Sequence, residues 1–135
     1  MSIHRYAARQ DGNHAEIVND LRAMGFSVES LASVGKGMPD IAVGWDKLNW
    51  FFELKDPTVP KADQQLTEPQ VKWHNSWRGQ VAVVKDTWQL LQAIVESGYP
   101  SSSLPVTAQG LLLLGPPTDS SNLTSLKRHL KSGSR

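Results

Sequence analysis

Cysteine is absent from the 135 residues, which excludes a disulfide framework and any thiolate metal site. Histidine is sparse, and His4, His14, His74 and His129 are scattered without the close spacing of a zinc cluster. No segment approaches the ~20 apolar residues of a membrane span, and the first residues lack the apolar stretch of a secretory signal. A cytoplasmic protein is the expectation. There is no internal repeat, and the length suits one domain with a buried core. Charge of one sign is also lacking overall, since the formal net charge is +1. It is unevenly placed: Lys127, Arg128, Lys131 and Arg135 give residues 127–135 a charge of +4, leaving −3 over the first 126 residues. The body is therefore not a broad basic platform for nucleic acid. Such a basic end is usually solvated, and its other use is to help hold phosphates.

The chain is organised around residues 37–55, Gly-Met-Pro-Asp-Ile-Ala-Val-Gly-Trp-Asp-Lys-Leu-Asn-Trp-Phe-Phe-Glu-Leu-Lys. Ile41, Val43 and Trp45 alternate with Ala42 and Gly44, and Trp50, Phe52 and Leu54 alternate with Phe51, Glu53 and Lys55. That period of two predicts a pair of half-buried strands. A turn at Asp46-Lys47 makes Trp45 face Leu48, Val43 face Trp50 and Ile41 face Phe52, with Asp40 opposite Glu53. A four-residue loop keeps the same register, whereas a shift of one residue would send Asp40 to the other face. One face is then apolar, and the other carries Asp40, Glu53 and Lys55 at one end. Adjacent carboxylates repel, and a hard divalent cation such as Mg²⁺ relieves the conflict. The plain alternative is a surface hairpin in which Lys55 neutralises Glu53.

Around this hairpin the pattern predicts a helix over 13–24, with Ile17, Val18, Leu21 and Met24 on one face. Asn13 suits its N-cap and Glu16 the capping-box position, so Glu16 has a structural role beside any role as a metal ligand. Phe26–Leu31 reads as the first strand. Gly35-Lys36-Gly37 is a loop from which Lys36 could reach a phosphate. Thr67 and Gln70 form a second capping box for a helix over 68–78. Residues 80–85 form an apolar strand of the interior, parallel-sheet kind. Asp86 or Thr87 caps a helix over 88–97. The order helix, strand, strand, strand, helix, strand, helix predicts an α/β fold, a mixed four-stranded sheet flanked by helices. From Pro100 the composition turns to Ser, Pro and Gly, so a core over 1–98 and a C-terminal extension over 99–135 are expected. In the extension, Leu111–Leu114 reads as an edge strand or a partner contact, and 122–130 as a short helix. The five tryptophans, Trp45, Trp50, Trp73, Trp77 and Trp88, suit the core, with a homodimer or higher oligomer as their other use.

Four features coincide: an acid on the first helix, Pro39-Asp40 opening the second strand, Glu53-Leu54-Lys55 ending the third, and Gln70 on a helix before an apolar strand. Over roughly residues 5–97 the chain resembles the PD-(D/E)XK nuclease superfamily. Within it, the VRR-NUC branch and the Holliday-junction resolvases are the nearest in pattern, on Gly37-Met38-Pro39-Asp40, Phe52-Glu53-Leu54-Lys55, Leu66-Thr67-Glu68-Pro69-Gln70 and Gly79-Gln80-Val81-Ala82-Val83-Val84. The resemblance implies a restriction-endonuclease-like core and a Mg²⁺- or Mn²⁺-dependent endonuclease acting on DNA, including branched or flapped forms. Its setting would be phage or bacterial replication, repair or recombination, with a phage or host replication or packaging partner. It implies that Asp40, Glu53 and the Leu54 carbonyl bind the metal, that Lys55 positions the attacking water, that Glu16 is a metal or supporting ligand, and that Gln70 orients Lys55 or a phosphate. Arg9, Asp11 and Asn13 fall where related sequences carry a polar cluster, and Arg9 joins Lys36 as a candidate contact to nucleic acid. His74 stands where some exonucleases of the superfamily have tyrosine, which points away from processive exonuclease action. The alternative is a non-catalytic nucleic-acid-binding or assembly protein on the same fold.

Overall fold

The computed structural model describes residues 12–117. Arg9, Asp11, the expected helix over 122–130 and the basic end lie outside them. The hairpin sets the architecture. Strands β2 (Ile41–Trp45) and β3 (Leu48–Leu54) pair antiparallel in the expected register, Ile41 with Phe52, Val43 with Trp50 and Trp45 with Leu48. The two-residue turn has φ of 52° at Asp46 and 65° at Lys47. Positive φ at both positions is the twist-matched hairpin turn that normally selects Asn-Gly or Asp-Gly. A non-glycine residue there gives up roughly 1–2 kcal/mol. The turn is tied down by its surroundings. The Trp45 indole N–H donates to the Ser103 carbonyl at 2.9 Å, and the Tyr99 hydroxyl lies 3.0 Å from both Asp46 Oδ2 and the Ser103 carbonyl.

Strand β1 (Ser27–Ser30) pairs antiparallel with β2, and β4 (Val81–Val84) pairs parallel with β3, so the spatial order is β1-β2-β3-β4. The parallel pairing agrees with the sequence, but the interior position does not. β4 is an edge strand and Val83 is 39% exposed. Its apolar run is explained by cover on one face only, where Val84 is buried.

Helix α1 (His14–Met24) places Ile17, Val18, Leu21 and Met24 on Val28, Ile41, Val43, Trp50, Phe52 and Leu54 of the sheet. Helix α3 (Thr87–Glu96) adds Leu90, Leu91 and Ile94 to the same core. Asp86 is its N-cap, accepting from the Gln89 N–H at 2.7 Å. The composition change near residue 98 is not a break in packing. Tyr99, Leu104, Ala108 and Leu111 all belong to this core. Leu111–Leu114 is no edge strand but the end of helix α4 (Val106–Leu114), whose Trp88-facing side receives the Trp88 indole N–H on the Leu112 carbonyl. Four leucines in a row carry no period of two or 3.6, so the sequence alone could not choose between strand and helix.

Helix α2 (Glu68–Ser76) crosses from β3 to β4 on the other face of the sheet. The Thr67–Gln70 capping box is present in both directions. None of its residues is fully buried. It covers only the end of that face, leaving Glu29, Asn49 and Val83 exposed. Among the described residues no helix is long and apolar enough to cross a membrane.

Candidate functional site

The β2–β3 ladder ends at Ile41 and Phe52, and the next residue back, Asp40, continues it with a side chain. Its Oδ2 accepts the Leu54 N–H at 2.7 Å, while its carbonyl accepts the Leu31 N–H. Asp40 is therefore fixed at the mouth of the sheet by main-chain donors on both sides. Pro39 before it is fully buried. The loop leading in is held against α2 at Gly37. Its φ of 82° favours glycine, and a Cβ there would collide with the Pro69 carbonyl. That close approach sets Met38-Pro39-Asp40 beside the first turn of α2.

Glu53 points from β3 to the α2 side and is only 2% exposed. Gln70 Nε2 donates to Glu53 Oε2 at 2.8 Å, and Lys55 Nζ lies 3.5 Å from the same oxygen. Lys55, itself 8% exposed, also donates to Gln70 Oε1 at 3.3 Å. That oxygen is shared with the Thr67 N–H at 2.8 Å. One glutamine thus completes the helix cap and binds both charged residues. Burial first, and the Asp40 carboxylate second, push the Glu53 carboxyl up to about 8, against the opposing pull of Lys55. Glu53 Oε1 is buried with no hydrogen-bond donor among the described residues.

Asp40, Glu53, Lys55 and Gln70 are thus brought together as the sequence suggests. Glu16 is not. It is exposed on α1, and among the described residues no group of three or more histidine or carboxylate side chains is placed to hold a metal. The expected Asn13–Glu16 capping box is also absent. Asn13 has helical backbone angles, and its Nδ2 donates instead to the Lys55 carbonyl at 3.2 Å and the Lys85 carbonyl at 2.7 Å. It ties the start of α1 to the ends of β3 and β4, directly behind Lys55, while its Oδ1 is buried without a partner among the described residues. Lys36 is exposed in its loop with φ of 60°.

His74 is a residue of the site that motif matching undervalues. It lies one turn after Gln70, its Nε2 is buried without a partner among the described residues, and burial followed by the Lys55 charge hold its pKa below the usual value. It is therefore a neutral imidazole facing the network. The i, i+4 spacing from Gln70 is the signal that could have placed it there.

The donor set fits a hard divalent cation. Two carboxylates at the end of one hairpin, one with a buried oxygen lacking any donor, are what such an ion satisfies. Asp40 and Glu53 would supply the charge, with the neighbouring Leu54 carbonyl as the expected third oxygen. No protein-family model matches the chain, nor does any curated protein or solved structure, so the functional reading rests on the α/β fold and on this geometry.

Proposed function

We propose that the chain is a divalent-metal-dependent nuclease with a restriction-endonuclease-like core, hydrolysing phosphodiester bonds in DNA, with branched or flapped DNA as the expected substrate. The observation that supports this most is Glu53, a carboxylate shut in at 2% exposure beside a second carboxylate, with one oxygen left without a donor among the described residues. A sheet that needed only packing would put an apolar residue there. Burying two neighbouring carboxylates disfavours their ionised form unless a cation joins them.

Mg²⁺ or Mn²⁺ held by Asp40, Glu53 and the Leu54 carbonyl would supply charge to the non-bridging phosphate oxygens and acidify a bound water. The protein's own groups do the positioning. Gln70 holds the Glu53 carboxylate through its Nε2 and the Lys55 ammonium through its Oε1, which restrains both side chains. Lys55, 3.5 Å from Glu53 Oε2, is placed to orient a water or to offset charge developing on the phosphate. Asn13 holds the Lys55 backbone and α2 closes the network from above. Neutral His74 can accept a hydrogen bond at Nε2 from a water.

Cleavage of labelled linear duplex, single strand, flap and four-way junction in Mg²⁺, Mn²⁺ or EDTA tests the reading. Wild type should cut in metal and not in EDTA, and both Asp40→Asn and Glu53→Gln should lose cutting while keeping the fold. Undiminished cutting by either variant would refute it.

A second reading, a non-catalytic nucleic-acid-binding protein, is favoured by the raised pKa of Glu53. A neutral Glu53 hydrogen-bonded to Gln70 is a sound structural network without any ion. Calorimetric titration with Mn²⁺ separates the two, since only the enzyme requires Asp40- and Glu53-dependent binding.

A further inference from the structure

Beside the carboxylates lies an aromatic group that core packing does not explain. Trp73 and Trp77 stack with centroids 4.7 Å apart and planes at 17°. Both meet Phe51 edge-on, at 5.7 and 5.3 Å. Phe51 precedes Glu53 by two residues on the same face of β3, which puts it roughly 7 Å away along the strand. Trp77 is 42% exposed. The other three tryptophans are anchored by their indole N–H groups, on the carbonyls of Ser103 and Leu112 and the Ser97 hydroxyl. Those of Trp73 and Trp77 make no hydrogen bond among the described residues. A Cβ at Gly79 would press on the Trp77 indole nitrogen, so the chain leaves room for that ring to fold back over the sheet.

The surrounding charge identifies the occupant. Residues 69–85 contain Lys72, Arg78 and Lys85 and no carboxylate, a charge of +3 within a body that is −3 over the first 126 residues. Lys72 and Arg78 are exposed and adjoin Trp73 and Trp77 in the chain. Open aromatic rings flanked by cations are complementary to unpaired bases on a phosphate backbone, because every base offers a π-face and every step a charge. An apolar protein partner would use the rings but not the cations.

We propose that Phe51, Trp73 and Trp77 form a stacking platform for an unpaired nucleobase, with Lys72 and Arg78 on the adjoining phosphates, so that the substrate is a single-stranded or flapped segment delivered beside Asp40 and Glu53. This rests on the nuclease reading for the use of the site, but the platform is tested without cleavage. Anisotropy of labelled oligomers of about ten nucleotides, within the usual site size of a single-strand binder, is measured in EDTA together with intrinsic tryptophan fluorescence. The probes are oligo(dT), oligo(rU) and a blunt duplex of equal length; the first two tell DNA from RNA.

Single strand should bind more tightly than duplex and quench the fluorescence. Trp77→Ala should weaken single-strand binding about tenfold, in keeping with the stacking contribution of one base, and leave duplex binding nearly unchanged, while Trp77→Phe retains most of the affinity. Lys72→Ala with Arg78→Ala, both at exposed positions, should lower single-strand affinity and reduce its salt dependence, which keeps the test usable if Trp77→Ala fails to fold. Equal affinity for single strand and duplex, absence of quenching, or unchanged single-strand binding in Trp77→Ala overturns the platform. So does a wild-type dimer that Trp77→Ala dissociates in light scattering, since the face would then belong to a second copy. Metal-dependent cutting without the platform signature leaves the nuclease reading standing and removes this one. The platform signature without cutting in any metal does the reverse.

Discussion

At the scale of single residues, Glu53 gives the sharpest consequences. Its carboxyl titrates near 8 in the fold, against 4.5 when unfolded. Between those values the folded chain holds a proton that the unfolded chain has released. The stabilising contribution of neutral Glu53 is therefore full below about pH 4.5 and is lost as pH rises through about 8. Metal-free protein should accordingly weaken between pH 5.5 and 8.5, and Glu53→Gln should flatten that trend. Urea unfolding in EDTA at the two pH values should show the variant gaining on the order of a few kcal/mol over wild type at the higher one. A bound cation competes with the same proton, so Mn²⁺ affinity measured by calorimetry should climb with pH up to about 8 and release close to one proton per ion. The period of two placed Asp40, Glu53 and Lys55 on one face, and the capping box placed Gln70 at the start of α2, but that Gln70 meets Lys55 was what the resemblance alone implied. The capping-box pattern misplaced Asn13, whose side chain has two choices, the local helix cap or the strand ends at Lys55 and Lys85, distant in the chain. Only the tertiary arrangement decides between them.

At the scale of elements, α2 is held by few contacts and these meet the site. Thr67→Ala removes half of a capping box and should cost about 1 kcal/mol in urea unfolding. Gly37→Ala should cost more, because it adds both a collision with the Pro69 carbonyl and a strained φ, each on the order of 1–3 kcal/mol. The two variants should also differ in kind. Thr67→Ala leaves Gln70 within reach of Glu53, whereas Gly37→Ala pushes the loop and α2 apart and should lower Mn²⁺ affinity. The hairpin register, the parallel pairing of β4 and the caps at Thr67 and Asp86 were all legible in the chain. The edge position of β4 was not, since an apolar run reports that a strand is covered but not on how many faces.

At the scale of the whole molecule, the core runs on to α4. Leu111→Ala should destabilise by about 2–5 kcal/mol, the usual range for emptying a buried leucine site. A chain ending at residue 98 would lose Tyr99, Leu104, Ala108 and Leu111 from the core and should show no cooperative unfolding transition. Composition concealed this, because Ser- and Pro-rich connections look alike whether they lead away from a domain or around it. The strand order β1-β2-β3-β4 has one more consequence. Each strand pairs with the one synthesised just before it, so the sheet can assemble in the order in which the chain leaves the ribosome. Asp40 and Glu53 then meet in open water on the hairpin, where their repulsion is screened. The later arrival of α2 shuts them in. Pulsed hydrogen exchange during refolding should find β2–β3 amides protected before those of α2, and the interval between them is the time the chain spends with its acidic pair still hydrated.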